Sequence, residues 1–334
     1  MIEPSGATLS RSAMNHAPPA AVVLLGAQRF GPSLGAAVAQ LGITGKVALV
    51  TAGWQEREAE DEELAEHLGN RTVNLKLHAR GEELFAEDPE LRDAHRERQD
   101  GLRHRQDFYR IRLEHALEAD QVIRQRAAPP EIVLSEAQAS VDSIRELDRW
   151  HLAACARQHA EWGGRIQLHE REAVARHRGE LAALIAGCQA IAIAGGHVAT
   201  LINRLSLFGI APMTAGKVIF AWSGGAMVVT ERVVLFHDHP PQGPGASEVL
   251  DAGLGLVPGV VAMPQPEQRL RLEQTERLDR FVRRFAPARC LLLPARSRVT
   301  WRDGRFEGAE GVQELRPGGG HGPFVADERG WTEA

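Results

Sequence analysis

A serine followed by small residues stands in the segment AWSGGAM, residues 221–227. Ser223 directly follows the apolar run 218–222, and two glycines and an alanine come after it. A strand that turns sharply into a helix needs small residues here, and the turn exposes the hydroxyl while directing the next backbone N–H towards an oxyanion. The pattern predicts a nucleophile elbow with Ser223 as nucleophile, although Ala221 stands where the strict pattern has glycine. A strand–helix turn that merely needs small residues is the alternative.

Short apolar runs predict the sheet that would position this serine. Runs at 21–25 and 46–50 enclose a helical segment, and a third strand is expected at 72–77. The alternation returns at 190–194, which ends in Gly195-Gly196, and again at 218–222 and 290–293, followed by a hairpin with an Asp303-Gly304 turn. This order predicts an α/β fold with a mostly parallel sheet and helices on both faces, whose reactive groups gather at the carboxyl ends of the strands.

A long polar region separates the two halves of this alternation. Residues 81–187 have helical spacing of apolar residues, with Pro129-Pro130 as an interruption. One of the helices is predicted from about 135 to 162, with Gly163-Gly164 as its end. We therefore expect a large helical insertion in a single α/β core domain formed by 21–80 and 188–310. A disordered tail is expected at 1–20 and a flexible C-terminal tail at 316–334. The narrow apolar stripe favours a homodimer through the insertion, and a lid over the site is the alternative.

Composition narrows the classes of partner. The chain has 334 residues, 43% of them hydrophobic, and its net charge of -5 gives no overall basic field for binding nucleic acid. No run of apolar residues is long enough to span a membrane. Its three cysteines, Cys155, Cys188 and Cys290, are far apart, which argues against a disulfide framework or a thiolate metal site. We expect a cytoplasmic protein without a cofactor or resident metal. A charged helix is predicted from about 267 to 285, and the helix after Ser223 is expected to extend to about 232.

Four parts of the chain resemble, in order, segments of the peptidase E and cyanophycinase family of serine peptidases. They are AVVLLG with KVALVTAG, then AIAIAGGHVATLINRL, AWSGGAM, and GLGLVPGVVAMPQPEQRLRLEQTERLDRF. The resemblance covers about 188–302 and, more loosely, 21–78. It implies a flavodoxin-like, class I glutamine amidotransferase-like sheet and a small peptide or amide ligand. It also implies Ser223 as nucleophile, Gly196 and Gly224 as oxyanion N–H donors, and Asp238 as the acidic residue.

One position departs from the family pattern. The family has its catalytic histidine just after the Gly-Leu-Gly-Leu segment and the following strand, where this chain has Gln265. A serine hydroxyl is a weak nucleophile without a base, and glutamine cannot titrate. His197, His237 and His239 are the candidate substitute bases, and for each a solvated or structural histidine is the alternative. The segment His237-Asp238-His239 also resembles part of a metal site, although two histidines and one carboxylate are a weak indication of one.

Two hypotheses of function follow from these residues. The chain is either a divergent serine hydrolase of peptide or amide bonds with a non-standard base, or a non-catalytic relative that binds a ligand or partner and dimerises through its insertion. A glutamine amidotransferase proper is a third and more distant reading, because that chemistry uses a cysteine at the elbow.

Overall fold

The structure is a computed structural model that describes residues 17–238 and 245–325. Its strands are β1 (Ala21–Leu25), β2 (Lys46–Val50), β3 (Thr72–Asn74), β4 (Cys188–Ile193), β5 (Val218–Trp222), β6 (Arg232–Leu235), β7 (Glu248–Ala252), β8 (Val260–Pro264), β9 (Arg289–Leu293), β10 (Arg298–Arg302), β11 (Arg305–Glu310), β12 (Gln313–Leu315) and β13 (His321–Pro323). Its helices are α1 (Leu34–Gln40), α2 (Glu62–His67), α3 (Leu77–Glu87), α4 (Pro89–Arg124), α5 (Pro130–Ile166), α6 (Glu172–Ala186), α7 (Val198–Leu207), α8 (Ile210–Met213), α9 (Gly224–Val228), α10 (Pro266–Arg269) and α11 (Thr275–Phe285). A 3₁₀ segment, Ala52–Arg57, follows β2.

The central sheet has seven strands in the order β11-β10-β1-β5-β4-β2-β3. The five strands from β1 to β3 in that order are parallel, while β10 and β11 form an antiparallel hairpin at one edge. This confirms the predicted α/β class with a mostly parallel sheet. The predicted hairpin turn is confirmed too, since Asp303 and Gly304 both have positive φ, as a tight two-residue turn of this hand requires. Because β5 lies between β1 and β4, Ser223 stands at the end of a strand in the middle of the sheet.

Both faces of the sheet are covered by helices. Alternate residues of each parallel strand point to opposite faces, so Leu24 and Ile193 belong to one buried cluster and Val23 and Phe220 to the other. The α1 helix packs on the second face through residues such as Val38, and α6 and α7 pack on the first. Burial on both sides explains why the strands are continuous apolar runs.

Two long helices, α4 with 36 residues and α5 with 37, form a hairpin between β3 and β4. Asp88 caps α4 by accepting from Leu91 N–H at 2.9 Å, and Pro89 stands at the first helical position. Pro130 begins α5 in the same way, so the predicted start at about 135 was five residues late. The predicted end at Gly163-Gly164 was also wrong, because both glycines lie within α5, which continues to Ile166.

Other predicted boundaries differ for local reasons. The single helix expected from 267 to 285 is two helices, because the buried Leu270 is extended and Arg271 N–H donates to an Asp238 carboxylate oxygen at 3.0 Å. The helix after Ser223 ends at Val228, since the buried Thr230 hydroxyl bonds to backbone carbonyls on both sides of the turn into β6. The strand expected at 72–77 ends at Asn74, and α3 starts at Leu77.

A second sheet, in the order β13-β12-β9-β8, lies towards the C-terminal end of the chain, and β6 and β7 form a separate ribbon. Strand β13 lies within 316–325, the described part of the predicted C-terminal tail. Gln265 directly follows β8, which pairs in parallel with β9, and the Gln265 N–H donates to Leu293 O at 3.2 Å. The described helices include none with the length and apolar character needed to span a bilayer.

Candidate functional site

Ser223 has a backbone conformation that side-chain-bearing residues rarely adopt. Its φ is 52° and its ψ is -127°, at the junction between β5 and α9. Such a conformation costs about 1–3 kcal/mol and is kept where the surrounding structure enforces it, often at functional sites. The serine is half-buried at the carboxyl end of a central strand, as a nucleophile elbow requires.

Glycines allow the neighbouring backbone to approach this serine. A Cβ on Gly195 would lie 2.6 Å from Ser223 Cβ and 2.7 Å from its Oγ, and a Cβ on Gly225 would lie 2.1 Å from Ile193 O. Gly196, with φ of 109°, and Gly224 are the two predicted oxyanion donors. Gly224 begins α9, where backbone N–H groups have no partner within the helix. Any side chain at these contacts would push the two strand ends apart.

Ser223 opens onto a cleft of about 660 Å³ at the carboxyl ends of β1, β2, β4, β5 and β8. Gly195, Gly196 and Gln265 line the same cleft, so the structure brings together the predicted nucleophile, one predicted oxyanion donor and the residue at the position where the resembling family has histidine. Six charged or titratable residues also line it: Arg29, Arg57, Arg269, Glu60, Glu63 and His67.

Gln265 is held in place by its surroundings. It has left-handed backbone angles, with φ of 55° and ψ of 51°, and its Oε1 accepts from Arg269 Nη2 at 3.0 Å. Burial lowers the pKa of the Arg269 guanidinium, and within the described residues no carboxylate forms an ion pair with it. The cleft therefore presents a neutral amide and a partly desolvated cation beside each other.

His67 is an imidazole of the cleft that sequence reasoning missed. It ends α2, and its Nδ1 lies 2.9 Å from Glu63 O. A carbonyl oxygen only accepts, so Nδ1 carries the proton in this contact and Nε2 remains able to accept one. The short polar α2 gives no sequence signal for this placement, because it depends on tertiary contacts such as the approach of α2 to α1. That approach is close: a Cβ on Gly35 would lie 2.8 Å from His67 O.

The three histidines predicted as substitute bases lie elsewhere or are not described. His197 caps α7, with its Nδ1 accepting from Thr200 N–H at 3.2 Å, and it is not among the residues that line the cleft. His237 is exposed and also outside the cleft lining. His239 lies outside the described residues.

Asp238 is buried in a separate cavity of about 50 Å³. One carboxylate oxygen pairs with Arg277 Nη2 and the other accepts from Arg271 N–H. The carboxylate thus orders the turn between α10 and α11, and it is not part of the cleft lining around Ser223. In the described parts of the chain, no group of three or more histidine, cysteine, aspartate or glutamate side chains is arranged to hold a metal ion.

No model of a known protein family matches the chain, and no curated protein matches it. Among solved structures, it is similar to one described as the crystal structure of a peptidase from an acI-B1 Actinobacterium. That match has 15% sequence identity, covers 93% of this chain and 96% of that chain, and has a TM-score of 0.42.

Proposed function

We propose that this chain is a serine hydrolase of peptide or amide bonds, a divergent relative of peptidase E and cyanophycinase. The observation that carries the proposal is the backbone of Ser223, strained at φ 52° and ψ -127° on the wall of the cleft. Glycine would adopt this backbone conformation without strain, so the need for a small residue in the turn does not explain why the residue is a serine. A role as nucleophile does explain it, because this conformation exposes the hydroxyl at the end of the strand.

The proposed reaction is acyl transfer to the serine. Ser223 Oγ attacks the carbonyl carbon of the substrate, and the N–H groups of Gly196 and Gly224 stabilise the negative oxygen that forms. The hydroxyl proton passes through a base to the leaving amine, and water then releases the acyl group. His67 is the substitute base that the described lining of the cleft offers, through its free Nε2.

The ligand that fits this cleft carries a carboxylate. Arg269 is half-buried without an acidic partner among the described residues, and a partly desolvated guanidinium gains most from a bidentate carboxylate. Arg29 and Arg57 add positive charge to the lining, although Arg57 already pairs with Glu60 at 2.6 Å. Arg269 would therefore orient the acyl side or the free end of a short peptide.

Labelling with a fluorophosphonate probe tests the proposal, because the probe reacts with activated serine hydroxyls. We expect the native protein to be labelled at Ser223, the Ser223→Ala variant to remain unlabelled, and heat-unfolded protein to remain unlabelled as well. The modified peptide is located by mass spectrometry. Native protein that stays unlabelled, or that is labelled equally in Ser223→Ala, contradicts the proposal.

Gln265 favours a second candidate function, a non-catalytic protein that binds a ligand in the cleft and a partner through the helical hairpin. Its amide is engaged by Arg269 and cannot titrate. In that case a small carboxylate peptide binds with equal affinity to native protein and to Ser223→Ala, and neither protein reacts with the probe. The labelling experiment therefore separates the two candidates.

A further inference from the structure

A second residue has the same rare backbone conformation as Ser223. Gln55, in the 3₁₀ segment after β2, has φ of 58° and ψ of -124°. This region is sparsely populated for residues with a side chain, and holding one there costs about 1–3 kcal/mol. Gln55 belongs to a segment whose Gly53 and Trp54 line the cleft.

The two strained turns enclose the glycine pair Gly195-Gly196. On one side, a Cβ on Gly53 would lie 2.4 Å from Gly195 O, and a Cβ on Gly196 would lie 2.3 Å from Gly53 O. On the other side, Gly195 contacts the Ser223 side chain. The backbone that carries the Gly196 N–H is therefore held between the Gln55 turn and the Ser223 elbow, in contact with both.

Hydrogen bonds connect the Gln55 turn to the helix that follows the glycine pair. His197 N–H donates to Gly53 O at 2.7 Å. Gln55 Nε2 donates to Thr200 Oγ1 at 3.3 Å, and Thr200 Oγ1 lies 2.8 Å from His197 Nδ1. The Gln55 side chain thereby fixes the first turn of α7, to which Gly196 is attached through His197.

We propose that Gln55 is a positioning residue that sets the direction of the Gly196 N–H in the oxyanion hole. The inference rests on the hydrolase function proposed above. An oxyanion donor acts only when it is held at hydrogen-bond distance from the oxygen that becomes negative, and small displacements are costly. A side chain that ties α7 to the β2 turn supplies that rigidity, which explains a strained glutamine where glycine would fit more easily.

The test measures labelling of the full-length chain by a fluorophosphonate, separating the inactivation rate kinact from the probe's dissociation constant KI. In this step Ser223 Oγ bonds to phosphorus, fluoride leaves, and the hydroxyl proton passes to a base or to water. We expect Gln55→Ala and Thr200→Val to lower kinact about tenfold at unchanged KI, because the phosphoryl oxygen loses an aligned donor. Gln55→Gly removes the same side chain but relieves the backbone strain, so it separates loss of the side chain from misfolding. It should lower kinact to the same extent. Glu56→Ala, an exposed neighbour in the same segment, is the matched control and should match the native protein.

The possible outcomes are distinguishable. A labelled native protein with unchanged kinact in Gln55→Gly and Thr200→Val overturns the positioning role and leaves the hydrolase proposal intact. A rise in KI alone overturns it as well, because a positioned oxyanion donor acts on the reacting state. Native protein that is not labelled overturns both proposals together. As an independent readout, Gln55→Gly should increase deuterium exchange in the 194–200 peptide, where His197 N–H is bonded to Gly53 O. Unchanged exchange in this peptide contradicts the proposal that the Gln55 side chain holds the first turn of α7 in place.

Discussion

Gln265 stands at the end of β8 beside the cleft that Ser223 lines, at the position where the resembling family has its base. Its left-handed backbone and its contact with Arg269 give the side chain a fixed place. We expect an imidazole there to leave the fold of β8 and α10 unchanged, because neither glutamine nor histidine branches at Cβ. The residue is therefore the most informative single position for testing how complete the site is.

We expect the Gln265→His variant to react faster than the native protein with a fluorophosphonate or an activated ester. A positioned general base contributes about 10²–10⁴-fold, so a gain of at least about tenfold is expected even with imperfect alignment. The rate should rise with pH through the ordinary range of a histidine, near 6.5, because only the neutral imidazole accepts the serine proton. Stopped-flow ester hydrolysis against pH measures both effects.

The matched control for that experiment is Gln265→Asn, which keeps an amide and removes one methylene. It should react no faster than the native protein, and its pH profile should match the native one. A Gln265→His protein that is folded and no faster than the native one would mean that the cleft does not align Ser223 with this position.

Residue identities at the elbow were predictable from sequence, whereas the rest of the cleft was not. The small residues around Ser223 are a local requirement of the turn, so the pattern AWSGGAM carries its own signal. Arg269, His67 and Gln55 come from three loops or helices that meet only after the sheet has formed. One indication of Arg269 was present in the sequence, since it lies four residues after Gln265, and Gln265 follows a strand within a segment that resembles the family.

At the scale of elements, α3, α4 and α7 meet around a buried histidine. The His95 ring on α4 packs at a tilt of 42° against Phe85 of α3, with ring centroids 4.7 Å apart, and its Nε2 lies within hydrogen-bond distance of the Asn203 side chain on α7. Burial, with Arg98 and Arg204 nearby, lowers its pKa to about 3. The junction therefore depends on a neutral imidazole.

Acidification should destabilise this junction between pH 7 and pH 5. The unfolded chain takes up a proton near pH 6.5 while the folded His95 does not, so stability falls as pH drops below that value and levels off only near pH 3. At pH 5 the expected loss from this residue is about 2 kcal/mol of unfolding free energy. Urea unfolding at a series of pH values measures it.

His151 and His177 are also buried with lowered pKa values, so the comparison must isolate His95. His95→Gln keeps a neutral side chain able to meet Asn203 and should show a shallower loss between pH 7 and pH 5. Equal slopes in the variant and the native protein would contradict the assignment to His95.

Element types were predictable further than element ends. The parallel strands are continuous apolar runs because both faces are buried, and each lies close to its expected range. The split between α10 and α11 was not predictable, because it depends on the Asp238 carboxylate reaching Arg271 N–H from a distant part of the chain. Pro130 could have been recognised as a helix start, since proline at the first helical position loses no hydrogen bond.

At the scale of the whole molecule, the α4–α5 hairpin is fixed to the core by a buried polar cluster. Arg284 of α11 donates to both Asp148 oxygens at 2.7 Å and to Tyr109 Oη at 2.8 Å, and that hydroxyl donates to Asp148 at 2.7 Å. Apolar residues of both hairpin helices also belong to the main core cluster. The hairpin is thus anchored at its middle, and its outer surface is free to meet a partner.

That outer surface carries an unusual share of exposed apolar side chains. Within the described residues, six of the eight large apolar side chains that are exposed belong to the two hairpin helices: Phe108, Ile111, Val122, Ile132, Leu134 and Trp150. Scattered exposed apolar residues are normal, but their concentration on one feature is typical of an interaction surface. The division of the chain into a core domain and an insertion stays a prediction, and so does the homodimer.

We expect light scattering at micromolar concentration to give twice the mass of one chain, with the hairpins in contact. Replacing both Phe108 and Leu134 by glutamine should shift the protein towards monomer, because burying two apolar side chains contributes about 1.5–3 kcal/mol each and a polar amide loses that gain. Phe30→Gln is the matched control, since Phe30 is 91% exposed but lies on the β1–α1 loop beside the cleft. A native protein that is monomeric rules out the dimer, while a dimer that persists in the double variant places the contact on another surface. If the double variant is monomeric and still labelled at Ser223, the hairpin serves assembly and the cleft works within one chain.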